Sequence, residues 1–235
     1  AACERERGRM SKSMHAAIAL LAAELKVEWR NPGSFVSAAL FAILVLLAQA
    51  MSFPTDLSTR PEISFGAFFI SVFFASLLAE HARISRDNKS GIPCLLALSQ
   101  VPPHLLFAGK TAAMFALMSL IEVCLIPVLI VFYNLPVSHV PPAFVLLCLL
   151  ANGALAGLMT LFGTASSVWK GSGNALALPI LILPLALPIL VTAATGSGRM
   201  LTDLPYMPYL KLILAADISV ACVGCFAFGK LLGRA

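Results

Sequence analysis

Apolar residues in this chain gather into long uninterrupted blocks. The first, "SFVSAALFAILVLLAQAMS" from Ser34 to Ser52, contains no charged residue. Blocks of similar character cover Ile63–Ala79, Thr111–Phe132, Ala143–Val168, Ala175–Ala194 and Pro208–Phe228. Each is close to the roughly 20 residues that a helix needs to cross the hydrocarbon core of a bilayer. Strands of a membrane barrel would alternate polar and apolar positions, and these blocks do not. The pattern predicts an all-α integral membrane protein with six transmembrane helices. Proline and glycine inside several blocks fit that reading, because lipid-embedded helices tolerate both.

Before the first block the period changes. In "AAIALLAAELKVEW" the residues Ile18, Leu21, Leu25 and Trp29 recur at spacings of three and four, with Glu24, Lys26 and Arg30 among the polar positions. That spacing predicts an amphipathic helix within residues 14–33, lying along the membrane surface until Asn31-Pro32-Gly33 turns the chain inward. Its apolar core is too short, and too interrupted by charge, for a cleavable signal peptide. Residues 1–13 read as a disordered tail, with Met10 or Met14 as the natural start, and residues 34–235 as the membrane domain.

Composition agrees with the blocks. The chain is 60% hydrophobic and only 11% charged, where soluble domains carry about a quarter charged residues. The net charge of +5 is informative through its placement. Thirteen lysines and arginines fall in the N-terminal segment, the loop after the second block, the loop after the fourth, and the tail; only Arg60, Arg199 and Lys211 fall on the other side. The excess of basic residues on cytoplasmic loops predicts both termini in the cytoplasm. Basic residues interleaved with aromatics are missing, so nucleic acid is not an expected partner.

Several motifs fail on inspection. Cys222 and Cys225 form "CVGC", but Phe226 stands where covalent haem attachment needs histidine, and the motif sits in an apolar block rather than a soluble βαβ unit. "AGKT" at Ala108–Thr111 resembles the end of a phosphate-binding loop, yet His104 occupies the position of the required earlier glycine. All four histidines lie outside the apolar blocks, which removes a haem held between intramembrane histidines. No set of residues reads as a metal site. A lipid-head-group transferase would need clustered cytoplasmic acids, and none occur, so an enzyme is not expected.

Polar residues within the blocks carry more. Glu122 and Asp217 fall near the middles of the third and sixth blocks, where an ionised side chain costs on the order of 2.5–3.5 kcal/mol. Two readings stand: a group on a substrate or proton path, or a neutral acid hydrogen-bonded to a neighbouring helix. "GALAG", Gly153–Gly157, offers the spacing of a close helix contact. Pro179, Pro184 and Pro188 remove backbone donors from the fifth block, and Pro184 and Pro188 are expected to bend or locally unwind it.

The most polar internal run is "EHARISRDNKSG", Glu80–Gly91. Ser85-Arg86-Asp87 offers helix-starting chemistry, and Gly91 with Pro93 offers a break. A short helix standing below the membrane is predicted, placed to touch a soluble partner such as an ATPase.

Here the residues resemble a known family. Glu80, Arg86-Asp87, Gly91 and Leu95-Leu96 through Lys110, with "AELKVEWRN" at Ala23–Asn31 and "PILILPLALPILV" at Pro179–Val191, are similar to the CcmB family. The similarity extends over nearly the whole chain from about Met14. It implies an ABC-2-type permease fold without a nucleotide site, working with a separate CcmA-like ATPase. CcmC-like and CcmD-like membrane subunits and a CcmE-like haem chaperone would complete the assembly. Haem and ATP would then be handled by partner subunits. The resemblance implies that Glu80, Arg83, Arg86, Asp87 and Gly91 lie in a coupling helix, within a loop of residues 80–110. Glu24, Lys26, Trp29 and Arg30 would belong to the connecting helix. Six spans are few for an enclosed path, so a second copy is an admissible partner. The alternative is a permease of the same architecture exporting a lipid-linked sugar or drug.

Overall fold

Among the described residues of the computed structural model, six long helices carry the chain: α1 (Gly33–Ser52), α2 (Pro61–Lys89), α3 (Pro103–Tyr133), α4 (Pro142–Val168), α5 (Asn174–Leu201) and α6 (Met207–Leu232). The structure describes residues 22, 26, 33–52, 61–92, 101–133, 142–168, 174–202 and 204–232, the side chains of 167, 168, 174–178 and 232 excepted. Each helix is long and apolar enough to cross a membrane, and no strand occurs among the described residues. The six predicted spans are therefore all present. Of the amphipathic segment only Ala22 and Lys26 are described, both helical and exposed; the rest of the predicted tail and interfacial helix lies outside the described residues.

Direction alternates along the bundle. At one end the last turns of α2 meet the first turns of α3, with Lys110 of α3 beside Asp87 of α2. At the other end Gly198 of α5 lies against Glu62 of α2. The interior is built on α2 and α4, of whose most apolar windows 67% and 72% of residues are buried, against 17% for α6. α1 rests on α2 and α3, α2 on α5, and α4 on α5 and α6. Phe65, Phe68, Phe69 and Phe73 of α2 fill the centre, and the Phe65 ring sits 5.2 Å from that of Phe144 of α4. The outer surface is apolar as well, with Leu44, Val131, Ile180 and Phe226 exposed. That suits a lipid surround but offers no hydrophobic drive for helices to associate, so close approach through small residues must hold them together. Gly153 and Gly157 of α4 do this, facing Asp217 and Val220 of α6.

Two expectations are corrected. Residues 80–89 are not a separate short helix: they are the final turns of α2, which runs for 29 residues, or about 43 Å, well beyond a hydrocarbon core of about 30 Å. Between Ala79 and Lys89 there is no proline or glycine. Restarting a helix at Ser85 would orphan backbone donors and acceptors on both sides of the break. The loss of hydrophobicity marks the membrane boundary, not the end of the helix. The second correction concerns Pro184 and Pro188, which neither end nor unwind α5; helix continues from Asn174 to Leu201. Around each proline the remaining intrahelical bonds persist, and Thr192 Oγ1 donates to the Pro188 carbonyl at 2.6 Å. Both prolines are exposed, so their rings displace no packed neighbour. α3 likewise begins earlier than its apolar block, at Pro103, where the missing N–H costs nothing.

α2 ends at a glycine. Gly91 has φ of 67°, and the backbone N–H groups of Ser90 and Gly91 donate to the carbonyls of Arg86 and Asn88. Among the described residues nothing lies within 4 Å of where its Cβ would be, so substitution there is expected to meet backbone strain rather than a packed neighbour. Gly91→Ala is expected to cost about 1–2 kcal/mol in thermal unfolding, and Gly91→Asn distinctly less. Equal losses for both would mean that the left-handed cap does not hold this turn.

Candidate functional site

The polar tail of α2 inherits the buried face of the apolar part. Val72, Ser76, Ala79, Glu80, Arg83 and Asp87 are buried in turn, at spacings that keep one helix face toward the bundle. His81, Asn88, Lys89 and Gly91 are exposed. The charges on the buried face are paired with one another and with neighbouring helices. Arg83 Nη2 donates to Glu80 Oε1 at 3.0 Å, with Nε 2.8 Å from Oε2, a side-on pairing in which guanidinium and carboxylate shapes match. Arg83 Nη1 also donates to the Lys110 carbonyl at 3.4 Å. Lys110 Nζ lies 2.8 Å from Asp87 Oδ2, and half-buried Arg86 approaches Asp87 Oδ1 at 3.8 Å. Glu80 also presses on Gly163 of α4, where any Cβ would collide with its carboxylate.

The cluster ties α2, α3 and α4 together. It sits directly beneath the exposed tip formed by Asn88, Lys89, Ser90 and Gly91. Of the residues singled out in the sequence, Glu80, Arg83 and Asp87 lie inside this network, Arg86 on its edge, and Gly91 at the tip. Glu24, Trp29 and Arg30 lie outside the described residues; Lys26 is exposed.

Lys110 was not legible as a site residue. Its partner lies 23 positions earlier, on the preceding helix, and no sequence period links the two. The one available signal was a lysine at the head of a long apolar run. Gly163 was missed for a similar reason: only the neighbouring helix gives it a purpose.

A second polar group lies at mid-depth. Glu122 of α3 and Asn152 of α4 are both buried, and Asn152 Nδ2 donates to Glu122 Oε2 at 2.7 Å and to Ser119 Oγ at 3.5 Å. The hydrogen-bonded reading of Glu122 therefore describes its geometry. Asn152, unmarked in the sequence reading, is the partner from the next helix. Asp217 of α6 does not join this pair: it lies on the other flank of α4, against Gly153. The exposed Cys222 and Cys225 form no disulfide.

The α2 tip is joined to α3 by the Asp87–Lys110 ion pair and the Arg83 hydrogen bond to the Lys110 carbonyl, and to α4 by the Glu80 contact at Gly163; farther along α3 and α4 lies the Glu122–Asn152 pair. No curated protein matches the chain. The family model described as CcmB protein matches residues 15–233, so this chain belongs to the CcmB family, the permease subunits of the haem-export ABC transporter of cytochrome c maturation.

Proposed function

We propose that this permease subunit couples ATP hydrolysis by a separate, CcmA-like ATPase to release of a haem-loaded, CcmE-like chaperone. The polar end of the bundle lies in the cytoplasm on this reading, supported by the thirteen-to-three distribution of basic residues. The observation that carries the proposal is the buried ionic cluster directly beneath the exposed tip of α2. The exposed tip, Asn88–Gly91 with Arg86 beside it, receives the ATPase. Glu80, Arg83 and Asp87 pass its movement into α3 and α4. The connecting helix, with Glu24, Lys26, Trp29 and Arg30, gives a second contact at the membrane surface. Haem is held by a CcmC-like subunit, assisted by a CcmD-like one, and this chain performs no catalysis of its own.

Asp87 is buried against Lys110, so reversing its charge would test the bundle as much as the docking. The exposed pair is the cleaner probe. Asn88→Asp combined with Lys89→Glu is expected to lower co-purification of the ATPase at least tenfold, about 1.4 kcal/mol, with membrane insertion unchanged. Full ATPase association together with normal cytochrome c production in that variant would refute the docking assignment.

A further inference from the structure

Glu122 and Asp217 stand at the same level of the bundle, separated by α4, since adjacent residues Asn152 and Gly153 face one each. Their surroundings differ sharply. Glu122 is buried and hydrogen-bonded. Asp217 is half-buried, and among the described residues none donates a hydrogen bond to it.

Asp217 marks the edge along which α6 leaves the bundle. On one side of it, Ile213 is buried, Val220 packs at Gly157 of α4, and Gly224 packs under Phe107 of α3. On the other side Leu214, Ile218 and Ala221 are exposed. A carboxyl at this depth, half turned toward lipid, has no donor available from hydrocarbon tails. We propose that this edge of α6, centred on Asp217, docks a transmembrane helix of a different subunit, one that brings a basic or amide side chain to mid-bilayer depth. The proposal rests on the reading of this chain as one membrane subunit of a larger complex.

Complementarity selects the occupant. A second copy joined by a two-fold axis would set the same patch against itself, bringing carboxyl to carboxyl and supplying no nitrogen donor. A helix bearing a nitrogen donor satisfies the carboxyl instead. Ala221, one turn on, and Cys225, one turn further, present small side chains that let a helix backbone approach closely.

The opposite flank of α6 makes no such demand. There a groove of about 530 Å³ runs between α5 and α6. Its two hydroxyls, Thr192 and Ser219, donate to carbonyls of their own helices.

Photo-crosslinking in the intact complex tests the assignment. A photoreactive amino acid at Ala221 is expected to give an adduct with a membrane segment of another subunit that carries Lys, Arg, Asn or Gln at matching depth. The same probe at Leu212, in the groove, is expected to give at least tenfold less. Asp217→Leu should cut the Ala221 adduct about tenfold while the ATPase subunit stays bound, and Asp217→Asn should retain most of it. Adducts of the chain with itself, equal yields from both positions, or an unchanged yield in Asp217→Leu would overturn the proposal. Should Asp217→Leu fail to insert, the wild-type crosslink map decides alone. Loss of the ATPase from the unsubstituted complex would count against the coupling reading and leave the crosslink result standing.

Discussion

Lys110→Leu is expected to destabilise the purified protein by about 3–5 kcal/mol, because it leaves a buried carboxylate without its closest cation. Asp87 is 6% exposed and Lys110 8%, and their 2.8 Å contact is screened from water. Arg86, at 3.8 Å from the other carboxylate oxygen, compensates partly and places the effect toward the lower end of that range. The informative comparison is with Asp87→Leu and with both changes together. Each single change strands one buried charge, whereas the double change strands none, so it should recover most of the loss. Thermal unfolding of the detergent-purified complex, followed by size-exclusion recovery, reads all three. A double variant as unstable as the worse single would show that the pair is not an isolated unit. The functional consequence separates from the structural one: with the ion pair gone but the fold retained, ATPase binding should persist while cytochrome c maturation falls.

Gly198→Ala is expected to cost about 1–3 kcal/mol by overpacking, and Gly66→Ala almost nothing. Both glycines lie on the seam between α2 and α5. A Cβ at Gly198 would stand 2.9 Å from the backbone N and Cα of Glu62. Backbone atoms in the first turn of a helix cannot swing aside as a side-chain end can, so the helices must separate. A Cβ at Gly66 would meet the Ala194 Cβ at 3.9 Å, an ordinary contact. Alanine's better helix propensity, up to about 1 kcal/mol, can then show as a gain. Unfolding temperatures measured side by side decide the matter; matched losses at the two positions would mean that the seam yields more readily than its geometry allows.

How much of this was legible in advance varies with range. The limits of α1 and α4 agree with their apolar blocks to within a residue, because burial in lipid and helix formation select the same residues there. α2 and α3 overran their blocks, since a helix stops at Gly91 or starts at Pro103 for backbone reasons that hydrophobicity does not report. At α5 the prolines were expected to bend or locally unwind the helix, and no unwinding interrupts it between Asn174 and Leu201. Charge in the run Glu80–Gly91 was read as outward-facing. In the fold, Glu80, Arg83 and Asp87 turn inward, while His81 and the tip are wetted.

The sequence by itself determined that the chain crosses the membrane in helices, how many times, and which residues carry charge at an end or at mid-depth. Those are local consequences of hydrophobicity, length and backbone chemistry, readable one segment at a time. Only the tertiary structure decided partnership: Asp87 with Lys110, Glu80 against Gly163, Asn152 with Glu122, and Asp217 with no donor among the described residues. Such pairings depend on how helices rotate and cross, and rotation is set by small-residue contacts between segments far apart in the chain, for which no single segment holds the information.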